Sequence, residues 1–199
     1  MDERAARTTI VQYGRLLWER GLVAGASGNL SVKLDDGTIL VTPTLHSLRA
    51  LEPVQLVRVD RDGRGLDAAT RPTSELPLHL AAYRAAPAAA CVIHTHPPFC
   101  IAWSKRGALF PLDTVGASES LGPIAFCAFA RPGSTELADR CASWFARGAG
   151  AVVMERHGLT VVAPDLETAY LRTDLTESTA KIELFAALLA DKVPGCARA

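Results

Sequence analysis

The sequence lacks net charge of either sign. Its 199 residues carry 21 Lys and Arg against 21 Asp and Glu, for a formal charge of zero. Recognition of a nucleic-acid backbone normally leaves a basic excess, so no nucleic-acid partner is expected. A polybasic membrane anchor is excluded on the same ground. Long apolar runs are also missing. The best candidate, Leu184 to Ala190, is far shorter than the roughly 20 residues that span a bilayer. The opening residues, with Asp2, Glu3, Arg4 and Arg7, have no apolar h-region, and no secretory signal is expected. The five cysteines (Cys91, Cys100, Cys127, Cys141, Cys196) are odd in number and show no CxxC spacing. They read as reduced thiols of a cytoplasmic protein, mostly small core residues, with Cys196 an exposed thiol in a tail. Gly21, Gly25 and Gly28 fit neither GxGxxG nor a Walker loop. Repeats and low-complexity linkers are absent.

What is present is an ordinary globular composition, 49% hydrophobic and 21% charged. It is too apolar for a disordered chain and long enough for one core, so residues 1–199 are expected to form a single domain. Apolar positions at three- and four-residue steps predict a helix over Glu3 to Arg20, stopped by Gly21. Leu30 to Leu34 and Thr38 to Val41 read as a hairpin across Asp35-Asp36-Gly37, a turn that needs positive φ. Further strands are predicted at Leu56 to Val59, Cys91 to His96, Ile124 to Phe129, Ala151 to Met154 and Leu159 to Val162. Helices are predicted at Ser74 to Arg84, Phe99 to Arg106, Ser134 to Arg147 and from an Asp165 cap to about Asp191. Pro77 is tolerable in a first helical turn. Hairpins mixed with helices indicate an α/β fold with a largely antiparallel or mixed sheet.

The sharpest chemical feature is His94-Thr95-His96 at a predicted strand end. Strand alternation puts both imidazoles on one face and turns Thr95 away. His157, in a turn between two apolar strands, offers a third nitrogen. Three neutral imidazoles leave a coordination position open, as a catalytic Zn²⁺ needs. The bland alternatives are two polar residues at a strand end and a simple turn histidine. His46 and His79 have no partner in sequence and read as surface or capping histidines. Glu75 falls in the first turn of a predicted helix, where the helix dipole favours the carboxylate; plain capping is the alternative. Ser27-Gly28-Asn29 suits close backbone approach and an anion nest, or a plain tight turn.

Taken in order, Gly25 to Ser31 (GASGNLS), Thr42-Pro43-Thr44, Arg71 to Tyr83 (RPTSELPLHLAAY), His94 to Pro98 (HTHPP) and Met154 to Gly158 (MERHG) resemble the class II aldolase and adducin head-domain family, most closely its L-fuculose-1-phosphate aldolase type. The pieces run from the first helix to the last. The resemblance implies a single α/β/α domain with a central, mainly antiparallel sheet flanked by helices, and a homotetramer with active sites at subunit boundaries. It places His94, His96 and His157 on the zinc ligands and Glu75 on the acid/base glutamate. Gly28, Asn29, Thr44, Thr73 and Ser74 fall on positions that bind substrate phosphate or neighbouring oxygens. The implied activity is a lyase that uses Zn²⁺ (or Mn²⁺ or Co²⁺) to cleave or form a C–C bond in a small ketose phosphate through an enediolate. Its partners would be such a sugar phosphate or related hydroxy-ketone. A sugar-acid phosphate decarboxylase or a sugar-phosphate epimerase uses the same intermediate, although an epimerase would show further acid/base residues and a longer C-terminal part. A non-catalytic adducin-like interaction module is the third reading; such members lose the histidines that this chain keeps. Three departures stand out. Leu45 follows Thr42-Pro43-Thr44 where relatives have Gly. Leu112 to Val115 lacks a family Tyr proton donor, with Asp113 as the stand-in. The chain ends near its last helix, without a closing tail.

Overall fold

A computed structural model describes residues 1–66 and 70–190; Cys196 and the expected helix end at Asp191 lie outside the described residues. Seven strands form one sheet: β1 (Asn29–Lys33), β2 (Ile39–Val41), β3 (Val57–Val59), β4 (Cys91–Thr95), β5 (Ile124–Cys127), β6 (Ala151–Met154) and β7 (Gly158–Ala163). Their spatial order is β3-β2-β1-β4-β7-β6-β5. Every pairing is antiparallel except β5 with β6.

Alternation along the strands sorts side chains into two layers. Cys91 and Ile93 of β4 face one way, with Leu30, Val153 and Val161, onto α1 (Glu3–Glu19), α3 (Pro98–Ser104) and α6 (Leu166–Ala190). Val92 faces the other way, with Val41, Val152 and Val162, onto α2 (Leu76–Ala85) and α5 (Thr135–Phe145). Both faces are covered, giving the expected α/β/α arrangement. The β1–β2 hairpin turns at Gly37, with φ of 81°. Cys91, Cys100, Cys127 and Cys141 are buried free thiols.

Element ends moved where side chains take over the backbone's hydrogen bonds. Helix α2 starts at Leu76 and not Ser74, because Thr73 closes a turn first: its carbonyl accepts from the Leu76 N–H and its Oγ1 from the Glu75 N–H. Strand β5 stops at Cys127 because Phe129 N–H donates to the Glu155 carboxylate, 2.9 Å away, and not to a neighbouring strand. The sequence reading missed α4 (Val115–Ser120), a short helix capped by Thr114. A Gly and two serines in six residues hide it from helix propensity.

Candidate metal centre and its cleft

Strand register builds the centre. Asn29 of β1, His94 of β4 and Thr160 of β7 lie directly opposite one another across three neighbouring strands. His94 is fully buried. Its Nδ1 sits 3.2 Å from the Leu159 carbonyl and 3.1 Å from Thr160 Oγ1. A carbonyl only accepts, so Nδ1 carries the ring hydrogen and Nε2 keeps its lone pair. That Nε2 is 3.0 Å from Nε2 of His96, one residue beyond the strand end. Thr95 points into the opposite layer, as alternation requires.

His157 arrives from the β6–β7 turn. Arg156 adopts a left-handed φ of 56° there, and its N–H is held by Ser104 Oγ at 2.9 Å. Gly158 lets the turn pass close to β4: a Cβ at that position would lie 2.1 Å from the Thr95 carbonyl oxygen and 3.0 Å from the His96 ring. The three rings stand edge to face, with centroids 4.9, 4.9 and 5.2 Å apart, and one nitrogen from each lies within 4.8 Å of the others.

The donor set fits a divalent cation. Burial lowers all three histidine pKa values, His157 to about 4, with the neighbouring rings adding to the effect on His94 and His157. All three are therefore neutral near pH 7, as metal ligands must be. Nδ1 of His157 is buried without a hydrogen-bond partner among the described residues. An all-imidazole set suits zinc and its first-row neighbours and does not single out one metal.

The cleft beside the histidines has a volume of about 240 Å³. The three histidines, Glu75 and the five expected substrate-binding residues all line it. Gly28 and Asn29 come from the loop into β1, and Thr44, Thr73 and Ser74 from two loops joined by a Pro43–Pro72 bridge. Gly28 has φ of 79°, and a Cβ there would meet Val23 Cγ1 at 2.3 Å. Glu75 is 8% exposed, and its Oε2 has no hydrogen-bond partner among the described residues. Burial raises its pKa; a hydrogen bond from the Gly133 N–H opposes this only in part. The sequence reading expected the helix start to favour the carboxylate. Desolvation is the larger effect, because Glu75 caps α2 from a buried position.

One further expectation needs correction. His79 is not a surface or capping histidine. It is completely buried, with Nδ1 2.7 Å from Ser31 Oγ and Nε2 2.6 Å from Asn29 Oδ1. Its spacing with Leu76 and Tyr83, three residues before it and four after it on α2, was the available signal. Asp113 is exposed and does not line the cleft of its own chain. Pro132 and Gly133, which bring the loop before α5 against Glu75, went unnoticed because they carry no titratable group. His46 keeps its bland reading: half-buried, bonded through Nδ1 to the Thr44 carbonyl. Leu45 lines the mouth of the cleft at φ of 60°, with 86% of its surface exposed, so its side chain leaves the interior open.

Comparison with known proteins follows the same lines. The family described as Class II Aldolase and Adducin N-terminal domain matches residues 8–184. The 3-oxo-tetronate 4-phosphate decarboxylase of Haemophilus influenzae is 33% identical over 187 residues, covering 92% of this chain and 88% of its own. The L-fuculose phosphate aldolase of Methanococcus maripaludis is 30% identical over 175 residues, covering 88% and 94%. The crystal structure of YgbL from Escherichia coli superposes with a TM-score of 0.86 at 29% identity, covering 96% and 92%. With a match that spans most of its length and three histidines gathered where the strand register puts them, this chain belongs to the class II aldolase and adducin N-terminal domain family.

Proposed function

We propose that the chain is a divalent-metal lyase that makes or breaks a C–C bond in a small ketose phosphate or related hydroxy-ketone. One observation carries the reading: three neutral imidazoles converge beside a buried carboxyl in a single cleft. His94, His96 and His157 would hold the ion, Zn²⁺ first, with Mn²⁺ or Co²⁺ as alternatives. Bound there, it supplies a Lewis acid for the negative charge that develops when the bond breaks. Glu75 holds and moves the proton exchanged with the substrate. Gly28, Asn29, Thr44, Thr73 and Ser74 orient the substrate by its phosphate or neighbouring oxygens, away from the reacting carbons. The intact histidines favour an enzyme over an adducin-like interaction module.

Decarboxylation of a 3-oxo sugar-acid phosphate is the second reading, and the proton inventory favours it. Aldol cleavage needs a base for a hydroxyl proton and an acid for the new carbanion. Loss of CO₂ needs only the acid. Among the described residues, Glu75 is the one carboxyl lining the cleft, and its raised pKa favours the protonated form. Both chemistries are named among the relatives.

The same reading carries a homotetramer. Exposed Leu171, Ile182, Phe185 and Leu189 along α6 are apolar surface that a second copy would cover. Light scattering of the pure protein checks this, and a monomer at micromolar concentration would refute it.

The test is a screen of phosphorylated and unphosphorylated ketoses and 3-oxo sugar acids with added Zn²⁺, Mn²⁺ or Co²⁺, following aldehyde and CO₂ release. Aldehyde supports the first reading and CO₂ the second. His94→Ala should lose both bound metal and turnover. A wild-type protein that binds no divalent metal and turns over none of these compounds would sink the proposal.

A further inference from the structure

Behind the cleft wall lies a row of polar groups for which metal chemistry has no use. Ser31 of β1 and His79 and Tyr83 of α2 are all buried. Tyr83 Oη is 2.9 Å from Ser31 Oγ, Ser31 Oγ is 2.7 Å from His79 Nδ1, and His79 Nε2 is 2.6 Å from Asn29 Oδ1. Asn29 is the member of this row that lines the cleft.

The row has one consistent direction. Burial keeps His79 neutral, so one ring nitrogen donates and the other accepts. The Asn29 amide oxygen faces Nε2 of that ring, and an amide oxygen can only accept. The ring hydrogen therefore sits on Nε2, directed at Asn29, which leaves the Asn29 NH₂ group for the cleft. Ser31 then gives its hydrogen to Nδ1 of His79, and Tyr83 gives its own to Ser31. The opposite polarity would turn the buried Tyr83 hydroxyl hydrogen away from Ser31, its one hydrogen-bond partner among the described residues, a costly arrangement.

We propose that the Tyr83–Ser31–His79 row locks the Asn29 amide with its NH₂ toward the cleft, so that His79 is a positioning residue that selects a substrate oxyanion, phosphate or carboxylate, at that point. An inverted amide would present a carbonyl oxygen and repel either anion. The inference rests on reading the cleft as a substrate site, while the ring tautomer of His79 is measurable without it.

The test uses the metal-loaded protein, with inorganic phosphate and glycolate as probes. Nitrogen-15 NMR of the wild-type imidazoles, assigned by the signals missing in His79→Gln, should show His79 as the Nε2–H tautomer. Gln at this position offers Ser31 an oxygen and Asn29 an NH₂, so His79→Gln should retain anion affinity. His79→Leu should weaken binding about tenfold, the size expected for one hydrogen bond to a charged group. Asn29→Asp keeps an acceptor for His79 but faces the anion with oxygen, and should weaken binding further. Loss confined to phosphate identifies a phosphate subsite, loss confined to glycolate a carboxylate subsite, and loss of both a general oxyanion site; each supports the proposal. An Nδ1–H tautomer, unchanged anion affinity in His79→Leu, or a wild type that binds neither anion would overturn it. Bound zinc in the same samples reads the parent proposal separately, because His79 is not one of the three proposed ligands.

Discussion

At the residue scale, the cleft depends on two side chains held in unfavourable states. Glu75 is a carboxyl that burial pushes toward its neutral form. Glu75→Gln removes the titrating group while keeping its shape. Turnover should fall about 10²–10⁴-fold, the usual weight of a general acid or base. Bound metal should be unchanged. The melting temperature should rise most at alkaline pH, where the wild-type carboxylate is charged and poorly solvated. Full activity in this variant would refute the role given to Glu75. Leu45 is the second case. A left-handed conformation costs a non-glycine residue roughly 1–2 kcal/mol, and glycine costs about 0.5–1 kcal/mol in unfolded-chain entropy. Leu45→Gly should therefore stabilise the fold by about 0.5–1 kcal/mol, read by urea unfolding. Because the Leu45 side chain points to solvent, phosphate affinity should stay within a few-fold of wild type. A large gain in phosphate affinity would show that the side chain crowds the anion after all.

At the element scale, the site is a product of strand register. His94 faces Asn29 and Thr160 because β1, β4 and β7 pair antiparallel in one register, and a one-residue slip would turn His94 into the opposite layer. The hydroxyl of Thr160 and the Leu159 carbonyl fix the His94 tautomer. Thr160→Val should leave the fold intact and weaken zinc binding by about tenfold or more, as loss of such supporting hydrogen bonds does elsewhere. Competition with a fluorescent chelator measures this; an unchanged zinc affinity would leave the carbonyl as sufficient. Gly158→Ala is the harsher change, since its Cβ would overlap the Thr95 carbonyl. It should destabilise the protein by about 2–4 kcal/mol, in the range of severe backbone and packing defects, and release metal.

The His94-Thr95-His96 pair was legible in sequence because strand alternation is a local rule. The distance from His157 to that pair was not, because it depends on the β4–β7 pairing across more than sixty residues. His79 failed for the opposite reason. Its helical spacing with Leu76 and Tyr83 was visible, but a lone histidine carries no sign of its partners, which lie about fifty residues earlier in β1. Helix α4 escaped because its cap and its packing on α6, and not its propensity, hold it in place.

At the scale of the whole molecule, the buried histidines make stability depend on pH. Burial lowers the pKa of His79 to about 3 and of His157 to about 4, and holds His94 well below its ordinary value. In the unfolded chain all of them titrate near 6.5. Below that pH the unfolded state binds more protons than the folded one, so stability is full above about 6.5 and declines as pH falls toward the folded values. Glu75 and Glu177, whose pKa values are raised, act with the opposite sign: the stability they contribute is lost as pH rises from the ordinary carboxylate pKa through their folded values. Across the window from about pH 7.5 to 5.5 the histidines lower stability as pH falls. His79 and His157 alone should cost the chelator-treated protein about 3 kcal/mol across it. For a chain of this size that is a fall in melting temperature of about 6–12 °C. Zinc at the proposed site would bind the folded state alone and should raise the melting temperature by mass action. Because burial lowers the pKa of all three histidines, that increment should fall off less by pH 6 than it would at a site of ordinary exposed histidines, which would already be losing its metal to protons. Thermal scans at several pH values, with chelator and with zinc, separate the two effects. The same pH dependence across this window in chelated wild type and chelated His79→Gln would mean that His79 is not held neutral in the folded chain.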